Sequence, residues 1–158
     1  MAKLTNILSS LIALAGLGVG GYFVYQAAFA PGGFFRDAVV TGELAVAGSK
    51  EGSWNAPLAR CQSGEHSGFF GVDLGDEGKI ALRVTQDPVK GMHVIVRSPK
   101  SGKGAALTAE NCPGLTAEVR RTNTTYNTIR VLDGEVAFDC ELPGGGRAKL
   151  AAHFEGCR

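Results

Sequence analysis

From Leu4 to Ala30 the chain carries no Asp, Glu, Lys, Arg or His. As a helix these residues would run about 40 Å, against a bilayer hydrocarbon core of about 30 Å. This stretch constrains the chain more than any other, because it predicts a single-pass transmembrane helix over residues 1–30 that confines any soluble domain to the residues after it. Tyr22, Tyr25 and Gln26 fall where amphipathic side chains settle at the headgroups, and Pro31, Gly32 and Gly33 end the helix and open a linker over 31–37. A cleavable export signal is the competing reading, since Ala28-Phe29-Ala30 has the small-x-small form of a cleavage site. Its usual apolar region of about 7 to 15 residues is much shorter than this one, and the length favours a retained signal-anchor.

Four glycines, Gly16, Gly18, Gly20 and Gly21, sit inside this span. Gly16 and Gly20 form a GxxxG pair, and Ala13 extends it into a stripe of small side chains. Such a stripe lets a second helix approach closely, and in lipid that contact drives association. Ala13, Gly16 and Gly20 are therefore the expected helix-packing residues, toward other membrane-protein subunits or a second copy.

Charge sets the orientation. Lys3 precedes the span, whereas the first charge after it is Arg36, followed at once by Asp37. This asymmetry predicts a cytoplasmic N-terminus and an extracytoplasmic C-terminal domain, in a periplasm or at the cell exterior. Cys61, Cys112, Cys140 and Cys157 all lie beyond the span, and none forms a CxxC pair. An even number of widely spaced cysteines behind such a segment predicts two disulfides in an oxidising compartment. From Pro31 onward 15 basic and 15 acidic residues cancel. A neutral domain without a basic run gives no field to attract nucleic acid.

Beyond the linker the pattern changes to short alternating segments separated by Gly, Pro, Asn and Asp, which predicts an all-β sandwich or barrel of eight or nine antiparallel strands over 38–158. The expected strands lie near 38–47, 56–62, 68–74, 79–86, 92–98, 115–122, 126–132, 135–142 and 147–154. In KIALRV, Ile80, Leu82 and Val84 should share the buried face. In LDGE (132–135), Asp-Gly reads as a two-residue hairpin turn that sets Val131 against Val136 and Ile129 against Phe138. PGGG (143–146) then sets Phe138 against Leu150 and Val136 against Ala152, and NTT (123–125) joins the first pair and aligns Val119 with Ile129. The result is a four-stranded meander with Leu115, Ala117, Val119, Ile129, Val131, Val136, Phe138, Leu150 and Phe154 inward.

Within that register Cys140 lies opposite Ala148, about 30 Å along the strand from Cys157. A bond between these two is excluded, because bridged Cα atoms sit within about 7 Å. Cys112 and Cys157 extrapolate to the same end of the sheet, so the expected pairs are Cys61 with Cys140 and Cys112 with Cys157.

Signatures of chemistry are absent from this pattern. His66, His93 and His153 have no ligand-spaced neighbours, so neither a metal site nor a cofactor is expected. DLGDEG (73–78) lacks the calcium-loop glycine and distant glutamate and reads as a polar turn. Asn123-Thr124-Thr125 matches the N-glycosylation acceptor pattern. Trp54 is either a core-packing side chain or an exposed contact for a partner. No nucleophile, base and orienting group can be named together, which leaves two expectations. The first is a non-enzymatic structural or accessory subunit of a membrane or envelope assembly. The alternative is a β-sandwich module binding a glycan or cell-wall polymer, for which Trp54, Phe69, Phe70 and Tyr126 are the candidate aromatics.

Overall fold

The computed structural model describes Tyr22, residues 37–89 and residues 91–158. Apart from Tyr22, the expected span lies outside the described residues, as do most of the linker and Ala13, Gly16 and Gly20. The chain divides into two units between Asp37 and Ala38, and the second, Ala38–Arg158, is nearly all β. Its strands are β1 (Val39–Thr41), β2 (Glu43–Ser49), β3 (Gly52–Pro57), β4 (Arg60–Ser63), β5 (Gly71–Asp76), β6 (Lys79–Asp87), β7 (Gly91–Arg97), β8 (Gly104–Thr108), β9 (Thr116–Tyr126), β10 (Ile129–Glu141) and β11 (Arg147–Cys157), with one turn of 3-10 helix at Gly64–Ser67. They form two antiparallel sheets in a sandwich-like arrangement. The first has the order β3-β2-β11-β10-β9, with β1 also paired to β11, and the second is the meander β4-β5-β6-β7-β8.

Alternation along the strands supplies one shared core. Leu44 and Val46 of β2, Val136 and Phe138 of β10 and Leu150 and Phe154 of β11 face Val72 and Leu74 of β5, Leu82 and Val84 of β6, Val94 and Val96 of β7 and Leu107 of β8. Full burial of each such side chain contributes about 1.5–3 kcal/mol. The expected strand 38–47 is β1 and β2 together. Thr41 pairs with His153 and Ala45 with Lys149, so the register along β11 is unchanged across the interruption at Gly42. A Cβ on Gly42 would lie 2.7 Å from the Ala151 carbonyl oxygen, and its φ of +141° suits glycine.

The expected LDGE hairpin is not formed. Asp133 and Gly134 lie inside β10, and the neighbouring strands absorb the irregularity as bulges. On β11, Glu155 and Gly156 together face Asp133, whose carboxylate accepts the Gly156 N–H at 2.7 Å. On β9, Thr122–Thr124 bulge against Val131, so NTT belongs to a strand and its Asn123 is exposed there. The hairpin turn is Asn127-Thr128, both residues having positive φ, at 46° and 70°. Four expected strands are thus three, and Val119 faces Gly134 rather than Ile129. The PGGG connection does form, and it sets Phe138 against Leu150, Val136 against Ala152 and Cys140 against Ala148. Val131 is buried outside the core cluster. An extra residue in β6 opposite Leu74–Gly75 also turns Ile80 outward, contrary to the alternation read in KIALRV.

Both disulfides form, with the partners exchanged relative to expectation: Cys61 bonds Cys157 and Cys112 bonds Cys140, at Cα separations of 5.1 and 5.4 Å. The reason is parity. Removing one reversal from the meander sends β11 the opposite way, so Cys157 ends beside Leu132 while Cys112 stays at the end of the sheet where Cys140 lies. Cys112 and Cys157 are then about a strand length apart, and each instead joins the facing sheet. Cys61 on β4 ties the meander sheet to β11, and Cys112, just after β8, ties it to β10.

Candidate functional site

Trp54 lies on edge strand β3 opposite Val46 and is half-buried against the core. It borders a hollow of about 300 Å³ that also takes in Glu51, Ser98 and Lys103. Glu51 is held below the usual carboxylate range first by hydrogen bonding to Ser101, then to Ser98, with the nearby Lys100 and Lys103 adding to the effect. Trp54 thus covers one end of the core beside a polar, charged rim.

Other aromatic candidates converge at a different place. The 3-10 turn Gly64–Ser67, the Asn127-Thr128 hairpin and Arg158 meet at one end of the sandwich, where three guanidinium groups lie over three rings. Arg83 stands 4.3 Å from the centroid of Phe69, Arg121 4.5 Å from Phe70 and Arg158 4.6 Å from Tyr126. Local constraints build this end. Ser63 caps the 3-10 turn by accepting the Glu65 N–H, Gly68 ends it in the left-handed region, and the Phe69 ring packs where a side chain on Gly64 would be. Glu65 then ties the turn to the opposite sheet, pairing with Arg121 Nε at 3.5 Å and accepting the Arg130 backbone N–H at 3.0 Å. Ser63 donates its own N–H to the Arg158 carbonyl.

The Arg83 guanidinium over Phe69 is held by a bidentate pair. Nε and Nη2 donate to the two oxygens of Asp73 at 2.7 and 2.8 Å, and those hydrogen bonds hold the guanidinium above its ordinary pKa against the opposing effect of burial. Asp73, expected in a polar turn, sits within β5 at 7 % exposure. Only Glu77 and Gly78 form the bend of the β5–β6 hairpin. Removing one member of a buried pair leaves the other uncompensated. Because Arg83 keeps some solvent, Asp73→Ala is expected to cost about 2 kcal/mol, read from urea unfolding, with Asp73→Asn milder. Arg121 and Arg130, by contrast, are exposed.

The three histidines stay apart. His66 is exposed on the 3-10 turn, and His93, on β7, has its Nδ1 buried without a partner. His153 lies on the outer face, 3.1 Å from Glu155. Among the described residues no group of His, Cys, Asp or Glu is arranged to hold a metal. The arginine partners of the aromatics were not legible in the sequence, because Phe69 and Arg83, or Phe70 and Arg121, meet only through sheet pairing and loop closure. No protein-family model, curated protein or solved structure matches the chain.

Proposed function

We propose that the chain is a single-pass membrane-anchored, non-enzymatic accessory subunit of a larger membrane or envelope assembly, with its β domain outside the cytoplasm. The observation that supports this reading is a pairing of features: an uncharged run from Leu4 to Ala30 precedes a domain whose two disulfides each join one sheet to the other. Bonds of this kind form and persist in oxidising compartments. Membranes washed with carbonate should retain the chain. Its intact mass should include residues before Pro31, and alkylation without reductant should label no thiol. A chain that begins at Pro31, or four free thiols, would overturn the reading. Docking through Ala13, Gly16 and Gly20 belongs to the same proposal. Replacing Gly16 and Gly20 by leucine raises hydrophobicity, so insertion should persist while detergent-extracted complexes lose mass. Complexes of unchanged size would remove the stripe from the proposal.

The gathering of Phe69, Phe70 and Tyr126 under arginines favours a second reading, an anchored or secreted module for a glycan or cell-wall polymer bearing acidic groups. Arg121→Ala with Arg130→Ala should then abolish retention on an acidic polysaccharide column, and unchanged retention would exclude that end as the site.

A further inference from the structure

β8 and β9 are the edge strands of their respective sheets, and a groove of about 910 Å³ lies between them. Met92 and Leu115, both packed in part against the core, form its apolar floor, and Val89 stands at its rim 92 % exposed. Glu110, Glu118 and Glu135 also line it. Glu118 has an exposed partner in Arg120 at 3.5 Å, whereas Glu110 and Glu135 form no ion pair among the described residues, and the described lining contains no lysine or arginine. Glu118 and Glu135 stand directly opposite each other on β9 and β10, a placement that costs free energy unless a cation lies over it.

We propose that this groove receives an extended basic segment of a partner protein. A free sheet edge accepts an added strand through main-chain hydrogen bonds. The edge of β9 offers Thr116–Arg121 before the Thr122–Thr124 bulge ends regular pairing. Lysine or arginine at alternate positions of the segment reaches the carboxylates, and the aliphatic residues between them rest on Val89, Met92 and Leu115. The inference rests on the accessory-subunit reading, to which it adds the contact face and the chemistry of the partner.

The test uses the full chain in zwitterionic detergent and a short synthetic peptide of alternating lysine and valine, with a glutamine-valine peptide as control. The lysine peptide should bind saturably, shift the backbone amides of Thr116–Arg121 and weaken with added salt. Glu110→Gln with Glu135→Gln should lower its affinity about tenfold. Val89→Lys, at an exposed position that the fold does not use, should remove binding while thermal unfolding stays unchanged. Absence of saturable binding, shifts confined to other strands, equal binding of the glutamine peptide, or unchanged affinity in both variants would each overturn the proposal. A chain that stays in washed membranes without binding loses this inference alone, and one that binds but leaves the membrane loses only the anchor.

Discussion

Replacing Cys61 and Cys157 together by alanine is expected to lower unfolding free energy by about 4 to 5 kcal/mol. The bridge spans 96 residues, and in the chain-entropy account a cross-link of that length removes more freedom from the unfolded ensemble than a shorter one. Cys112 and Cys140 are 28 residues apart, so their removal should cost about 3 to 4 kcal/mol. For a domain of this size the longer bridge corresponds to a fall in Tm of roughly 15 to 25 °C. Urea unfolding of the two double variants, under conditions that leave the remaining disulfide intact, checks both the size and the order. A larger loss from the Cys112 pair would contradict the account. Non-reducing peptide mapping should recover Cys61 linked to Cys157 and Cys112 linked to Cys140.

Gly134→Ala is expected to cost about 3 kcal/mol or more, at the upper end of what overpacking does. A Cβ there would lie 2.0 Å from the Glu118 carbonyl oxygen and 2.7 Å from Cζ of Phe154. The oxygen belongs to the paired strand and the ring to the filled core, so relief requires parting β9 from β10 or shifting Phe154. Gly114→Ala, with nothing within 4 Å of its added carbon, should stay within about 0.5 kcal/mol. Gly134→Asn separates the two explanations for a glycine after Asp133. A hairpin turn with positive φ would tolerate asparagine, whereas a strand position closed by backbone should reject it at least as strongly as alanine. Thermal melts of the three variants read the difference directly.

Local pattern carried a large part of this protein. Period-two alternation in the segments around Phe138 and Leu150 announced antiparallel strands with one buried face, whereas KIALRV marked a strand but not its faces, because the extra residue there buries Ala81 beside Leu82 and turns Ile80 out. PGGG set the register of β10 on β11, because three consecutive glycines leave few other places for the chain to reverse. The same kind of evidence misled at Asp133-Gly134, where the dipeptide that serves a tight turn also serves a strand in which a neighbouring carbonyl leaves no room for a Cβ. Sequence cannot tell a glycine kept for its φ from one kept for its size; only the position of Glu118 decides. From that one reversal came the exchanged disulfide partners, since which end of a sheet a cysteine reaches depends on how many strands precede it. β8 was missed because GAALT is only five residues long and opens on glycine and two alanines, which do not mark a strand.

By itself, the sequence determined the all-β character of residues 38–158, the oxidised state expected of four cysteines and the neutrality of the domain, because each depends on composition or on neighbours a few residues apart. The count and pairing of strands, the partners of the cysteines, the burial of Asp73 against Arg83, the assembly of Phe69, Phe70 and Tyr126 under arginines and the acidic groove between β8 and β9 were decided by the tertiary structure alone. Each depends on groups brought together by sheet pairing across tens of residues, and that pairing is fixed by bulges, by packing volume and by backbone approach, none of which a local pattern encodes.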